Sequence, residues 1–252
     1  MSTVMITGAS SGLGAAIAHQ FADRGDNLVL IARREPLLEA LKAEFLAKGA
    51  PSVEYRVVDL ADENQVQQLA DDLPNIGADV LINNAAFGQW DYSWDTTPEK
   101  MRAMVAVNVS AVAVLSVAFS HLKHEQPARL INVASGAGYA LFESSIPYSA
   151  SKFFVTALTE GMALELSSRK LPMRAQLLAP GPIATEFMMN AMQGSKMPAM
   201  NADGIQFHTA EQVAEFAMQL YDSDSIVGGV QADMSFVLSN GLHPVGQLFD
   251  AS

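Results

Sequence analysis

The sequence predicts an α/β fold, a parallel sheet covered on both faces by helices. Two observations carry the prediction. Short β-branched or apolar runs alternate with helical patterns, the order a parallel sheet needs because each crossover returns over the sheet. A glycine-rich turn, Thr7-Gly8-Ala9-Ser10-Ser11-Gly12-Leu13-Gly14, joins the first strand pattern to the first helical one. Composition agrees: 50% of the 252 residues are hydrophobic and 17% charged, which suits a globular chain with a large core.

The strand patterns lie at Thr3–Thr7, Asn27–Ala32, 52–58, 79–83, 129–134 and 173–179. The helical patterns lie near 12–24, 35–48, 62–73, 98–122, 147–169 and 210–222. No repeat, low-complexity tract or Pro/Gly/Ser-rich linker interrupts them, so residues 1–252 read as one domain. Region 183–208 breaks the alternation and reads as an insertion over the carboxyl edge of the sheet.

The chain has no cysteine, which removes disulfides, thiol nucleophiles and thiolate metal sites and fits a reducing compartment. A formal net charge of −12 argues against nucleic acid or an anionic membrane as partner. Thr3-Val4-Met5-Ile6 is too short, and lacks the basic flank, for a signal peptide. No apolar segment free of charges and prolines reads as long enough to span a bilayer. A cytoplasmic protein is expected. The histidines (19, 121, 124, 208 and 243) show no ligand spacing, so no metal is expected.

The glycine turn is the first candidate site. Gly8, Gly12 and Gly14 allow a tight turn and close backbone approach, and the helix start near Ser10, Ser11 and Leu13 attracts phosphate. The alternative is a plain strand-to-helix turn. Its Gly-x-x-x-Gly-x-Gly spacing differs from the common dinucleotide fingerprint. The second strand ends in Ala32-Arg33-Arg34, where an NAD-binding fold usually places an acid for the ribose hydroxyls; arginine suits a 2′-phosphate instead. NADP(H) is therefore expected over NAD(H), with Arg33 the stronger candidate and Arg34 free to point to water. Asp59 could accept from an adenine amino group while Leu60 packs on the ring, or Asp59 could cap the next helix. Asn83 and Ala85 end the fourth strand, with Asn84 suited to tying adjacent loops together and Asn83 to lining a cofactor crevice.

Along 98–122 an apolar stripe runs through Met101, Val105, Val112, Leu115, Phe119 and Leu122, and Asn108 falls on it, a buried amide that needs partners. Ser135 ends the fifth strand, either as a ligand contact at the carboxyl edge or as a turn residue. In Pro147-Tyr148-Ser149-Ala150-Ser151-Lys152, a helix starting near Pro147 puts Tyr148 and Lys152 one turn apart on one face. A free tyrosine titrates near a pKa of roughly 10, so bringing it to neutrality takes about 4 kcal/mol, within reach of a nearby cation in a poorly solvated cleft. The alternative is a surface pair. Pro180 and Gly181 stiffen the loop after the sixth strand, and Ile183 and Thr185 follow as possible ligand contacts. Met188, Met189, Met192, Met197 and Met200 suit a lid over an apolar substrate or a helix packed on the core. Phe87, Trp90, Trp94, Phe142 and Phe187 suggest an apolar pocket.

Together these motifs resemble the short-chain dehydrogenase/reductase family in its single-domain, NADP-preferring form, from Thr3 to about Tyr221. The resemblance rests on Thr-Gly-x-x-x-Gly-x-Gly at 7–14, Asn-Asn-Ala at 83–85, Asn108, Ser135, Tyr-x-x-x-Lys at 148–152 and Pro-Gly at 180–181. It implies a Rossmann-type doubly wound sheet of about seven strands and hydride transfer between NADP(H) and a carbonyl or alcohol carbon of a small molecule. It further implies that Tyr148 is the acid in reduction and the base in oxidation. Lys152 lowers its pKa and holds the nicotinamide ribose, Ser135 bonds the substrate oxygen, and Asn108 holds a water linking Lys152 to solvent. A homodimer or homotetramer paired through the helices near 98–122 and 147–169 is implied as well.

The chain departs from the pattern in three places. Ala86 stands where many members have glycine. Ser11 stands where some NADP-dependent members carry a second basic residue. The stretch 228–237 is not the usual closing strand. Two other readings share the fold: a nucleotide-sensing binding protein without turnover, and a sugar-nucleotide epimerase or dehydratase, which needs a longer C-terminal domain.

Overall fold

Runs of Val, Ile and Leu buried on both faces form the central strands β1 (Thr3–Thr7), β2 (Asn27–Ala32), β4 (Val80–Asn83), β5 (Arg129–Val133) and β6 (Arg174–Ala179), with β3 (Val53–Val57) at one edge. The computed structural model describes residues 1–192, 206–241 and 243. The sheet has eight strands in the order β3-β2-β1-β4-β5-β6-β7-β8, where β7 is Val227–Val230 and β8 is Phe236–Ser239. All pairs are parallel except the hairpin β7–β8.

Side chains alternate across the sheet. On one face Val4, Ile6, Leu28 and Leu30 pack against α1 (Gly12–Asp23), α2 (Glu35–Ala47) and α8 (Ala210–Asp222). On the other, Met5, Val29, Ile31 and Leu81 pack against α3 (Glu63–Ile76), α5 (Val112–Lys123) and α6 (Ile146–Ser168). This is the Rossmann-type doubly wound fold. The chain runs outward from β1 to β3 and then returns to β4 on the other side of β1, so a crevice opens at the carboxyl ends of β1 and β4.

The structure differs from the sequence expectation in three elements. The sheet has an eighth strand. The turn behind it is closed by Gln231 N–H donating to Ser235 O at 2.8 Å, with Met234 at φ 66°. The helical pattern at 98–122 is α4 (Pro98–Val105), a π-helical turn Ala106–Ala111 and α5. Taken together, Pro98–Lys123 is a 26-residue helix apolar and long enough to cross a bilayer, contrary to the expectation that none is. Here its buried residues Leu115 and Phe119 pack in the core beside α3 and α6. Finally, α3 is capped by Asp62, which accepts from Asn64 N at 2.9 Å and Gln65 N at 3.4 Å, and not by Asp59. The loop 183–208 is described only in part. It contains α7 (Glu186–Met192), and Ile183 bridges to His208. Met197 and Met200 lie outside the described residues.

Candidate active site

A cleft of about 920 Å³ opens at the carboxyl edge of the sheet. Its volume falls in the range of ligand sites. One end is the glycine turn. Gly8 has φ +66°, and a Cβ there would stand 2.8 Å from Ala85 Cα; a Cβ on Gly14 would stand 2.3 Å from Gly8 O. Glycine is required at both places because backbone meets backbone. Asn84 fastens the turn, donating from Nδ2 to Thr7 O at 2.9 Å. Thr7 Oγ1 accepts from Asn84 N at 3.0 Å and Ala85 N at 3.1 Å. Ser11 is the N-cap of α1, yet its side chain makes no capping bond, so the first-turn amides are left for an anion.

Ser10, Ser11, Gly12, Leu13, Arg33, Arg34, Asp59, Leu60, Ala85, Pro180, Gly181, Ile183 and Thr185 all line the cleft. Arg34 does not simply point to water. Its Nε donates to Ser10 Oγ at 3.3 Å, one terminal nitrogen donates to Ser11 Oγ, and the other pairs with Glu186 Oε2 at 3.0 Å. Arg33 is exposed. Arg34 is exposed as well, and what distinguishes it is that its guanidinium is tied to Ser10, Ser11 and Glu186.

Asn83 is corrected. It is buried and does not line the cleft, because its Nδ2 donates to Asn132 Oδ1 at 2.9 Å and Ser116 Oγ at 3.2 Å. Asn132 in turn donates to Thr159 Oγ1 at 2.9 Å, so a buried polar network joins β4, β5, α5 and α6. Asn108 is fully buried in the π-helical turn. Its Oδ1 accepts from Phe87 N at 2.7 Å, and its Nδ2 donates to Phe87 O at 2.8 Å and Ser151 Oγ at 3.0 Å. Both amide protons are spent on the chain, and Asn108 is outside the cleft lining, so it acts here as a positioning residue that ties α6 to the loop after β4.

Ser135, Tyr148 and Lys152 meet at the other end of the cleft. Ser135 follows β5 by two residues and caps a short turn, its Oγ accepting from Ala137 N at 3.2 Å. Tyr148 and Lys152 lie one turn apart on α6, and Pro147 in the first turn starts the helix. Lys152 is 2% exposed, and its Nζ donates to Val133 O at 2.9 Å and stands 5.7 Å from the Tyr148 ring centroid. The expected lowering of the phenol does not appear. Burial pushes Tyr148 up to about 12, opposed by its hydrogen bond with Ser135, and burial pushes Lys152 down to about 8. The amine serves the Val133 carbonyl, and burial is the main cause of both shifts.

Phe87, Trp90, Phe142, Phe187 and Met188 line the same cleft. Trp94 does not: it is 80% exposed and stacks on Tyr92. Phe187 packs near Tyr148 with ring centroids 5.8 Å apart, and a Cβ on Gly88 would stand 2.4 Å from its ring. Trp90 N donates to Ala191 O at 2.9 Å, which fastens α7 across the cleft. Sequence reasoning missed Ser151 and Glu186. Ser151 had a weak signal, a hydroxyl between Tyr148 and Lys152; Glu186 had none, since its partner lies 152 residues away.

A family model described as short chain dehydrogenase matches residues 2–196. Dehydrogenase/reductase SDR family member 11 of Gallus gallus is 34% identical over 192 residues, covering 73% of this chain and 75% of its own. A solved short-chain dehydrogenase from Sphingobium yanoikuyae in complex with NADPH superposes with a TM-score of 0.82 at 28% identity, over 90% of this chain and 87% of that one. A short chain dehydrogenase/reductase from Burkholderia phymatum in complex with NAD superposes with a TM-score of 0.78 at 27% identity, over 90% and 88%.

Proposed function

The chain belongs to the short-chain dehydrogenase/reductase family and is an oxidoreductase that uses a nicotinamide cofactor, and from that premise we propose that it is an NADP(H)-dependent carbonyl reductase or alcohol dehydrogenase acting on a small, partly apolar substrate. One observation carries the reading: Ser135, Tyr148 and Lys152 stand at one end of a cleft whose other end holds an uncapped helix start and two arginines. The residues fit the cofactor. The first-turn amides of α1 suit a pyrophosphate. Arg33 and Arg34 suit a 2′-phosphate, and Asp59 and Leu60 on the same cleft suit an adenine, the carboxylate accepting from its amino group and the leucine packing on its ring. The bound cofactor supplies the hydride.

The chain's own groups handle the proton and the charge. The buried Tyr148 phenol stays protonated across neutral pH, the form an acid needs in reduction. As the substrate oxygen gains negative charge, the Tyr148 and Ser135 hydroxyls both donate to it, and Tyr148 gives up its proton. Lys152 would hold the cofactor's ribose, and its ammonium offers a nearby positive charge to the phenolate so formed. Asn108 keeps α6 in place through Ser151. Phe87, Phe142 and Phe187 favour an apolar substrate body and help exclude water.

The same proposal includes one catalytic domain with a substrate segment at 183–208, a homodimer or homotetramer, and a cytoplasmic location, the last supported by the absence of cysteine. The test is NADPH consumption over a panel of ketones, aldehydes, β-hydroxy acids, sugars and steroids. Tyr148→Phe should cut turnover on any active substrate by about 100-fold or more while NADPH still binds. Undiminished turnover in that variant would sink the assignment.

A further inference from the structure

Building on the NADP(H) reading, we propose that Glu186 competes with the cofactor's 2′-phosphate for Arg34, so that this carboxylate sets how strongly the site separates NADP(H) from NAD(H). Arg34 and Glu186 both line the cleft, one as the N-cap of α2 just after β2 and the other at the start of α7, and they meet at 3.0 Å. A guanidinium binds phosphate best through two parallel N–H groups. One edge of Arg34 lies on the Ser10 and Ser11 hydroxyls. Those hydroxyls can rotate and donate to a phosphate. The remaining terminal nitrogen is held by Glu186, a fixed negative charge.

A phosphate that takes Arg34 through this nitrogen therefore meets a carboxylate already on the same cation, and like charges at that spacing repel. The two side chains are 45% and 52% exposed, so solvent screens the effect. It should amount to a several-fold change in affinity, not orders of magnitude. A ribose 2′-hydroxyl meets no such repulsion, and a carboxylate can accept from it, as acids do in NAD-binding folds. Glu186 thus narrows a preference that Arg33 and Arg34 create. It also heads the helix that holds Phe187 beside Tyr148, which joins cofactor recognition to the substrate end of the cleft.

The test is equilibrium titration of the full chain with adenosine 2′,5′-bisphosphate and adenosine 5′-monophosphate, probes that differ only in the 2′-phosphate. Wild type, Glu186→Gln, Arg34→Ala and the double variant form a cycle. Glu186→Gln should tighten the bisphosphate about five-fold, leave the monophosphate unchanged, and lose its effect in the Arg34→Ala background. An unchanged bisphosphate affinity, an equal gain for both probes, or a gain that survives Arg34→Ala would overturn the assignment. A wild type that binds both probes alike bears on the NADP(H) reading instead. If Glu186→Gln then creates a preference, the role of Glu186 stands and the NADP(H) reading falls; if it does not, both fall.

Discussion

Burial moves Lys152 and Tyr148 toward their neutral forms, and this has a signature in stability. Unfolded, the lysine titrates at 10.5; folded, at about 8. Between those values the unfolded chain binds more protons, so this residue makes stability rise with pH through that window. At pH 7 holding the amine buried costs about 3 kcal/mol. Tyr148 acts in the opposite sense at higher pH: between 10.0 and about 12 the folded state keeps the proton, and stability falls as pH rises. Replacing Lys152 by Met removes only the first effect. Urea denaturation at pH 7 and pH 10 should show the difference between wild type and Lys152→Met shifting by about 2 kcal/mol in favour of wild type at the higher pH. A constant part will remain, because Val133 O loses its donor in the variant. A difference that does not change with pH would show that the amine keeps its ordinary affinity for protons.

The element that most directly supports the site is the π-helical turn Ala106–Ala111, which swings Asn108 out of regular helical register and onto Phe87 and Ser151. Asn108→Ala would strand the half-buried Phe87 peptide and remove one partner of Ser151, whose hydroxyl keeps its bond to Tyr148 O, so we expect a loss of about 2 kcal/mol in chemical denaturation. A loss below about 1 kcal/mol would mean that the loop finds other partners. The position was legible in the sequence as one amide on an apolar stripe; the π geometry was not, since nothing in the local pattern marks an extra residue per turn. The same contrast holds elsewhere. The glycine turn, the Tyr148–Lys152 spacing and the strands were readable because backbone sterics and periodic burial act locally. Two features depend on partners far along the chain: which of Asn83 and Asn84 faces the cleft, and which arginine is anchored. Asn83 is turned away from the cleft by Asn132 and Ser116, and Arg34 is fixed by Glu186, contacts that no window of sequence contains.

For the whole molecule, the proposed homo-oligomer is argued from one face of α6. Ile146, Ala150, Phe154, Ala157, Gly161 and Leu164 are all exposed, recur at helical spacing and carry no charge. Phe154 is 37% and Leu164 45% exposed, and Val117 on the neighbouring α5 is 57% exposed. An uncharged stripe of this length is unusual on a chain of formal net charge −12, and it is the surface we propose a second copy covers. A Cβ built on Gly161 meets nothing within 4 Å, so the helix can be approached closely there. Two copies of α6 packed across this stripe would bury it and brace the helix that carries Tyr148 and Lys152. Gly161→Glu is the sharpest probe, because glutamate has room within the protomer and is a better helix former than glycine by about 0.5–1 kcal/mol. Sedimentation at micromolar concentration should find wild type as a dimer or larger and Gly161→Glu as a monomer with its circular dichroism intact. A monomeric wild type, or a variant that still associates, would move the interface away from α6.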